Sequence, residues 1–276
     1  MPHIETAAEE LFTVGPLSVT NSMVGAVLAT VVLLLIAVLA LRGASLVPSR
    51  LQLAMELPIE WVAGIVRDAG GSRWRSYVAL IIGIFLFVLV ANWLGLLPGV
   101  GTIGFFASNE EGERVLIPLV RPASADLNFT LGLAIVSFVA FTGIGIRANG
   151  ILRYLRHLLI ADPWWLTPLV TPIHIVSELA RLISLSMRLF GNVFAGEILI
   201  AIMTALVPIA IPVVFLGLEL LFGAVQALVF ALLTMAYVIL AVAEDDQHAA
   251  EPTSDHSSDR SPGPSSVVTS GAHGEA

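Results

Sequence analysis

Long runs of apolar residues, separated by short polar segments, dominate this chain of 276 residues. Residues 22–42, 77–97 and 127–146 are nearly free of charge. About 20 apolar residues in a helix are enough to cross a hydrocarbon core of ~30 Å. The pattern therefore predicts three membrane helices, the first of which ends at Arg42.

Two further apolar stretches, 166–206 and 212–243, are much longer than one crossing needs. At ~1.5 Å per residue, the part from 173 to 206 alone would form a helix of about 51 Å. Such a helix must be strongly tilted or broken. Pro208 and Pro212 predict a turn between the two stretches. We interpret them as a hairpin of two long, tilted helices.

The segment between the first two spans, residues 43–76, mixes apolar and charged positions. Leu51, Met55, Ile59 and Val62 recur at helical spacing, and the charged residues lie elsewhere. This pattern is typical of an amphipathic helix that lies on a surface.

The pattern as a whole predicts an all-α, polytopic membrane protein with about five to six membrane helices and one amphipathic surface helix. Residues 1–21 are expected to form an external N-terminal segment, and residues 22–243 the membrane domain. Residues 99–125 are interpreted as a polar loop. The tail, 244–276, is rich in Ser, Pro, Gly and Asp, so it is predicted to be a disordered cytoplasmic segment.

Composition supports this interpretation and excludes several classes. Hydrophobic residues make up 57% of the chain and charged residues only 12%, against about 25% charged in an average soluble domain. The absence of cysteine excludes disulfides and thiolate metal sites. The net charge of −8 gives no support for binding of nucleic acid. No cofactor is expected.

The placement of arginines predicts an orientation. Arginines are concentrated in 42–75 and in 147–156, whereas the loop after the second span holds only Arg114 and Arg121 beside three acids. Arg-rich loops remain in the cytoplasm. The N-terminus is therefore expected outside and the C-terminus in the cytoplasm.

The chemistry is concentrated in the last two apolar stretches, which contain several ionisable side chains. A charge at mid-bilayer costs roughly 2.5–3.5 kcal/mol on insertion scales. So many polar residues at that cost predict an ion pathway or relay. The residues concerned are His174, Glu178, Arg181, Arg188, Asn192, Glu197, Glu219 and Gln226.

Helical geometry orders some of these positions. Asn192 follows Arg188 by four residues and shares its face, and Gln226 lies two turns after Glu219. Glu197 is nine residues beyond Arg188, about half a turn out of phase. A straight helix therefore does not allow a direct pair between Arg188 and Glu197.

Simpler roles remain open for four residues. Glu178 and Arg181, three apart, could form a surface ion pair. His174 could be an interfacial residue, and Glu219 a neutral, hydrogen-bonded structural acid.

The segment from Pro172 to Ile200 resembles the signature of subunit a of rotary F-type ATP synthases. It contains Ser-Leu-x-x-Arg-Leu-Phe-Gly-Asn, which ends at Asn192, followed by Ala-Gly-Glu, which ends at Glu197. The last helix, with Gln-Ala-x-x-Phe-x-x-Leu-Thr from Gln226, and the segment Ala-Asp-Leu-Asn-Phe-Thr from Ala125 are similar to the same family. The resemblance covers about residues 20–243.

The resemblance implies a mechanism in which this subunit packs against a rotating c-ring, and two offset half-channels lead protons to and from the ring. Arg188 matches the arginine that faces the ring, and Asn192 and Gln226 match its polar neighbours. Glu197 and Glu219 match the acidic or histidine pair of the outer half-channel.

The same resemblance places Glu178 and His174 near the cytoplasmic route. It also implies b-type peripheral stalk subunits and membrane lipid as partners. The expected location is the bacterial inner (plasma) membrane.

Two departures from the family pattern matter. Leu182 stands where many members have proline after the residue at Arg181. Glutamate occupies both outer positions, Glu197 and Glu219, where some members have one histidine. Since two nearby carboxylates seldom both ionise, the pair is expected to share a proton and to titrate as a pair.

Two other classes of membrane protein fit the sequence less well. A secondary transporter with a midplane site for an anionic substrate would show internal repeats, and none is visible in the sequence. An intramembrane hydrolase needs a nucleophile beside a base, but His174 is ten and twelve residues from Ser184 and Ser186.

Overall fold

The computed structural model describes residues 9–14, 17–42, 49–97, 100, 104–108, 114–152, 164–207 and 210–249. Within these ranges six long α-helices follow one another, and five of them are long and apolar enough to cross a membrane. The predicted fold class, an all-α polytopic membrane protein, is confirmed. The helices are α1 Asn21–Arg42, α2 Arg50–Ala69, α3 Val78–Gly95, α4 Leu127–Asn149, α5 Thr167–Leu206 and α6 Ala210–Ala249.

Helix α2 is the one long helix in the described part of the chain that is not a candidate span. The hydroxyl of Ser49 caps it by accepting a hydrogen bond from the amide of Gln52 at 3.2 Å, which satisfies one of the free amides of the first turn. Val62 and Val66 are buried, while Trp61 on the same helix is exposed. The amphipathic helix predicted between the first two spans is therefore present.

Helices α3, α4, α5 and α6 pack together and form most of the core. Phe230 of α6 and Leu189 of α5 are fully buried there. Helix α1 lies against α3, but most of its large apolar side chains, Leu34 among them, remain exposed. Such a surface is suited to contact with lipid, because the bilayer core solvates it.

Helices α5 and α6 are 40 residues long each, which corresponds to about 60 Å at ~1.5 Å per residue. Residues 208 and 209 lie outside the described residues, and the two helices pack against each other. On α5 the buried positions form a stripe at helical spacing that faces the bundle. The stripe consists of Leu185, Ser186, Leu189, Val193 and Gly196.

Two short antiparallel β-hairpins were not predicted. Strands β1 Glu10–Val14 and β2 Leu17–Thr20 precede α1, and strands β3 Gly104–Ser108 and β4 Arg114–Pro118 precede α4. Strands of four or five residues are too short to show a clear alternation of apolar and polar positions, so the pattern gave little signal for them.

The interpretation of residues 99–125 as a polar loop is wrong for its last part. A 3₁₀ turn at Ala123–Ala125 is buried between the helices, as is Arg121 just before it. The small side chains of the turn allow the backbone to pack closely against α1 and α3. Composition alone had suggested a surface segment.

The last helix extends to Ala249, six residues into the segment predicted as a tail. The rest of the predicted tail, and residues 153–163 between α4 and α5, lie outside the described residues.

Candidate functional site

The most specific polar contact in the bundle is an ion pair between Arg121 and Glu197 of α5. Arg121 Nε donates to Glu197 Oε1 at 3.1 Å and to Oε2 at 3.3 Å, and Nη2 donates to Oε2 at 3.1 Å. Arg121 is only 7% exposed and Glu197 33% exposed. Removal of one partner from such a pair is costly, because the other charge is left in an apolar region without a counter-charge.

The backbone around Arg121 is fixed by close packing against two glycines. A Cβ at Gly25 of α1 would collide with the carbonyl of Arg121, and one at Gly95 of α3 would collide with Pro122. The amide of Arg121 also donates to the carbonyl of Asn21 at 3.5 Å. The arginine is therefore presented to α5 from a segment that has little freedom to move.

A cavity of about 260 Å³ opens beside this pair. Its wall includes Arg121, Glu197, Glu219 of α6 and Asn92 of α3, together with apolar side chains such as Val193. Since a water molecule occupies about 30 Å³ in the liquid, the cavity is large enough for several waters. Two carboxylates that are 22 residues apart in sequence thus line one space.

Glu219 is 8% exposed and lies directly against α5. A Cβ at Gly196 would overlap both carboxylate oxygens of Glu219. Glycine at position 196 therefore creates the space that the carboxylate occupies, one residue before Glu197. The Ala-Gly-Glu motif of α5 thus brings the two acids of the cavity together.

Two hydrogen bonds fix α3 against α6 next to the cavity. Asn92 Nδ2 donates to the carbonyl of Gly223 at 3.1 Å, and Trp93 Nε1 donates to the carbonyl of Leu220 at 3.0 Å. A side chain at Gly223 would press against the Cβ of Asn92 at 3.3 Å. These contacts hold the turn of α6 that follows Glu219.

Arg188 lies on the opposite, exposed face of α5. It is not among the residues that line the cavity, and no hydrogen bond or ion pair joins it to another described residue. Ser184, Gly191 and Ala195, which lie three to seven residues away on the same helix, are also exposed. The face around Arg188 is therefore open along about three turns.

Two buried amide groups lie deeper in the helix pair. Asn192 Nδ2 and Gln226 Nε2 are inaccessible and have no hydrogen-bond partner among the described residues. Such donors are costly when left without an acceptor. Asn192 lies on α5, four residues after Arg188, and Gln226 lies on α6.

Glu178 pairs with the nearby Arg181, whose Nη1 donates to Glu178 Oε1 at 2.9 Å. The Arg181 guanidinium also lies 4.4 Å from the centroid of the Tyr237 ring on α6, a distance typical of a cation–π contact. His174 is half-buried one turn earlier on α5. The structure therefore brings Glu178 to Arg181, the simpler of the two roles that the spacing left open.

Sequence reasoning missed Arg121 and Asn92 as members of the site. From the sequence, Arg121 is one of two arginines in a predicted polar loop, although it directly follows the apolar residues 115–120. Asn92 is a lone amide in the second apolar run. Neither signal identifies a partner, because the contacts join residues 76 and 131 positions apart.

The fold and these groups define a class: a multi-pass membrane protein with a polar, ion-paired cavity on one side of a long helix and an exposed arginine on the other. Such an arrangement is suited to moving ions, since intramembrane charges are costly unless they serve a pathway.

Comparisons with known proteins then assign the family. The chain belongs to the ATP synthase A chain family, whose model matches residues 23–239. The resemblance inferred from the motif is thereby confirmed. Members of this family are membrane subunits of ATP synthases, so the chain has a stator role in ATP synthesis and proton transport and works in a complex with other subunits of the membrane sector.

Three curated relatives illustrate the similarity. ATP synthase subunit a 2 of Syntrophotalea carbinolica is 38% identical over 213 residues, which is 77% of this chain and 82% of the relative. ATP synthase subunit a of Gloeobacter violaceus is 36% identical over 247 residues, or 89% and 93%. The subunit a of Mycobacterium ulcerans is 37% identical over 206 residues, or 73% and 78%.

Proposed function

We propose that this chain conducts protons through two offset half-channels to and from a rotating c-ring, and that Arg188 separates them. The exposed position of Arg188 carries the proposal. An arginine remains protonated under all ordinary conditions, and in apolar surroundings its charge requires a counter-charge. Within the described residues it has none, so the counter-charge is expected on a neighbouring subunit.

The carboxylates of a c-ring supply that counter-charge in the proposal. A protonated ring carboxyl group that arrives at Arg188 releases its proton into the water of one half-channel, because the positive charge stabilises the ionised carboxylate that remains. The same fixed charge repels a proton that would cross without moving the ring. Asn192 and Gln226, with their unpartnered amide donors, are proposed to orient that ring carboxylate.

The cavity between Glu197 and Glu219 is proposed as the outer half-channel. The cavity lies near the first turn of α1 and the end of strand β4, since its lining includes Pro118 and Arg121 and the Arg121 amide donates to the carbonyl of Asn21. The distribution of arginines in the sequence predicts that this end of the bundle faces the outside. The two carboxylates exchange protons with water in this space. His174 and Glu178 are proposed to lie near the cytoplasmic route, with Glu178 already neutralised by Arg181.

The proposed setting follows from the same family role. The chain is expected in the bacterial inner membrane, with the N-terminus outside and the C-terminus in the cytoplasm. Its expected partners are the c-ring, b-type peripheral stalk subunits and lipid. No cofactor is required, since all the steps are proton transfers and electrostatic attraction.

A cross-linking experiment tests the ring contact directly. The natural chain contains no cysteine, so one introduced cysteine is unique. Ser184→Cys and Ala195→Cys, on the face of Arg188, are expected to form disulfides with a cysteine placed on the outer helix of a c subunit. Leu34→Cys, exposed on α1, is the matched control and should not react.

The function itself is tested by proton flux through the membrane sector reconstituted in vesicles without its catalytic head. Flux is expected with the natural chain and c-ring together, and none with either alone. Proton flux through the chain without a c-ring would contradict the proposal. So would a disulfide between the c subunit and Leu34→Cys when Ser184→Cys and Ala195→Cys form none.

A further inference from the structure

We propose that Arg121 is a positioning residue of the outer proton path, which holds the Glu197 carboxylate in one orientation so that Glu219 is the group that hands on the proton. This inference rests on the proposed function and assigns different roles to the two acids. From the sequence, the two acids are expected to share a proton and to titrate as a pair, without separate roles.

The geometry of the ion pair supports a positioning role. Both carboxylate oxygens of Glu197 accept from Arg121, through Nε and Nη2. A guanidinium that binds a carboxylate at two points fixes its direction as well as its charge. Glu197 would otherwise be mobile, because it is 33% exposed and has three rotatable bonds.

Arg121 can impose this orientation because its own backbone is fixed. The Arg121 carbonyl lies against Gly25, Pro122 lies against Gly95, and the following turn Ala123–Ala125 is buried. The Arg121 side chain is also much less exposed than that of Glu197, 7% against 33%, so it has less room to change its position than the carboxylate has. Positioning therefore acts from the loop segment toward α5.

Glu219 is in a different situation within the same cavity. It is more buried than Glu197, and no ion pair joins it to another described residue. Its carboxylate lies in the space left by Gly196. Glu197 is already bound at two points by the Arg121 guanidinium, whereas Glu219 lines the cavity without such a contact. Of the two acids, Glu219 is therefore suited to take up a proton and release it.

The experiment is a set of variants of the assembled membrane sector, measured by passive proton flux into vesicles. Arg121→Gln is expected to reduce flux roughly tenfold, which is less than the about 10²–10⁴ that a proton-transfer group itself contributes, because Arg121 acts only through Glu197. Arg121→Lys should recover part of the flux, because it restores the charge but not the two-point contact. Arg147→Gln in the last turn of α4 removes the same charge far from the cavity and should leave flux unchanged.

A double variant separates positioning from a merely structural role. If Arg121 acts through Glu197, the double variant Arg121→Gln with Glu197→Gln should conduct as well as the single variant Glu197→Gln. In both variants position 197 has no carboxylate for Arg121 to orient. Losses that multiply would overturn the inference, and so would normal flux in Arg121→Gln. Failure of the double variant to assemble would also overturn it, because the arginine would then serve packing without regard to Glu197.

The two proposals fail in distinguishable ways. If the natural chain conducts no protons with its ring, the proposed function is wrong. If the natural chain conducts and Arg121→Gln conducts equally well, only the role of Arg121 is wrong.

Discussion

Arg188 belongs to helix α5 and Arg121 contacts the same helix through Glu197, but the two arginines differ in burial and in pairing. Arg121 is buried and bound at two points by Glu197. Arg188 is exposed, and no ion pair joins it to another described residue. The two side chains lie on different faces of the helix, one toward the bundle and one away from it.

This difference in burial and pairing indicates whether each arginine interacts within the chain or with another molecule. A charge that is neutralised inside the chain stabilises an arrangement and needs no partner from outside. A charge that the chain leaves open in an apolar surface is costly until another molecule pairs with it. Within the described residues the charge of Arg121 is therefore matched by Glu197 and that of Arg188 is not, which supports the proposed contact of Arg188 with a c-ring.

The largest effect is expected from Arg188→Ala. Coupled ATP synthesis in membrane vesicles should fall to background, because in the proposed mechanism this fixed charge attracts the ring carboxylates and blocks the direct passage of protons. Assembly should persist, since Arg188 makes no ion pair within the described residues. ATP synthesis at the natural rate in this variant would show that the exposed charge of Arg188 is not needed, and would contradict the functional difference between Arg188 and Arg121.

The next effect concerns the two acids of the cavity. Glu219→Gln removes the group that transfers the proton in the proposed mechanism, so it is expected to slow passive proton flux about hundredfold, the lower end of the usual range of about 10²–10⁴. Glu197→Gln should slow it less, because the amide can still accept one hydrogen bond from Arg121. Flux is measured in vesicles with Glu60→Gln, exposed on α2, as the control. Unchanged flux in the double variant Glu197→Gln with Glu219→Gln would contradict both roles.

A smaller effect is expected from Gly196→Ala. The new methyl group would occupy the place of the Glu219 carboxylate, so proton flux should fall several-fold as that side chain moves. In a helix, alanine is otherwise favoured over glycine by roughly 0.5–1 kcal/mol. Gly143→Ala on α4, where the added atom meets open space, is the matched control. Equal flux in the two variants would show that Glu219 has room to move.

The smallest effect is expected at a buried contact that serves packing alone. The hydroxyls of Thr130 and Ser186 lie 3.1 Å apart between α4 and α5. Ser186→Ala should lower the stability of the solubilised membrane sector by about 1 kcal/mol, a typical value for one hydrogen bond, with little change in flux. Heat-induced unfolding measures this, and Ser184→Ala, exposed on the same helix, should give no shift. A large loss of flux would instead assign Ser186 to the proton path.

Much of the fold was predictable from the sequence. Apolar runs of the right length identify the membrane helices, since each must satisfy its own backbone groups in lipid. The short hairpins and the buried turn Ala123–Ala125 were not predictable, because small residues near prolines are equally compatible with a surface loop. Their burial depends on Gly25 and Gly95, which are on other helices.

The candidate site divides in the same way. The sequence alone determined that Arg188 and Asn192 share a helix face and that Glu197 lies half a turn away, because helical periodicity fixes the relation between positions on one element. The tertiary structure decided that Glu197 pairs with Arg121, 76 residues earlier, and that Glu219 lies against Gly196. Periodicity gives the direction in which a side chain points, but the group that meets it depends on how separate helices and loops pack together.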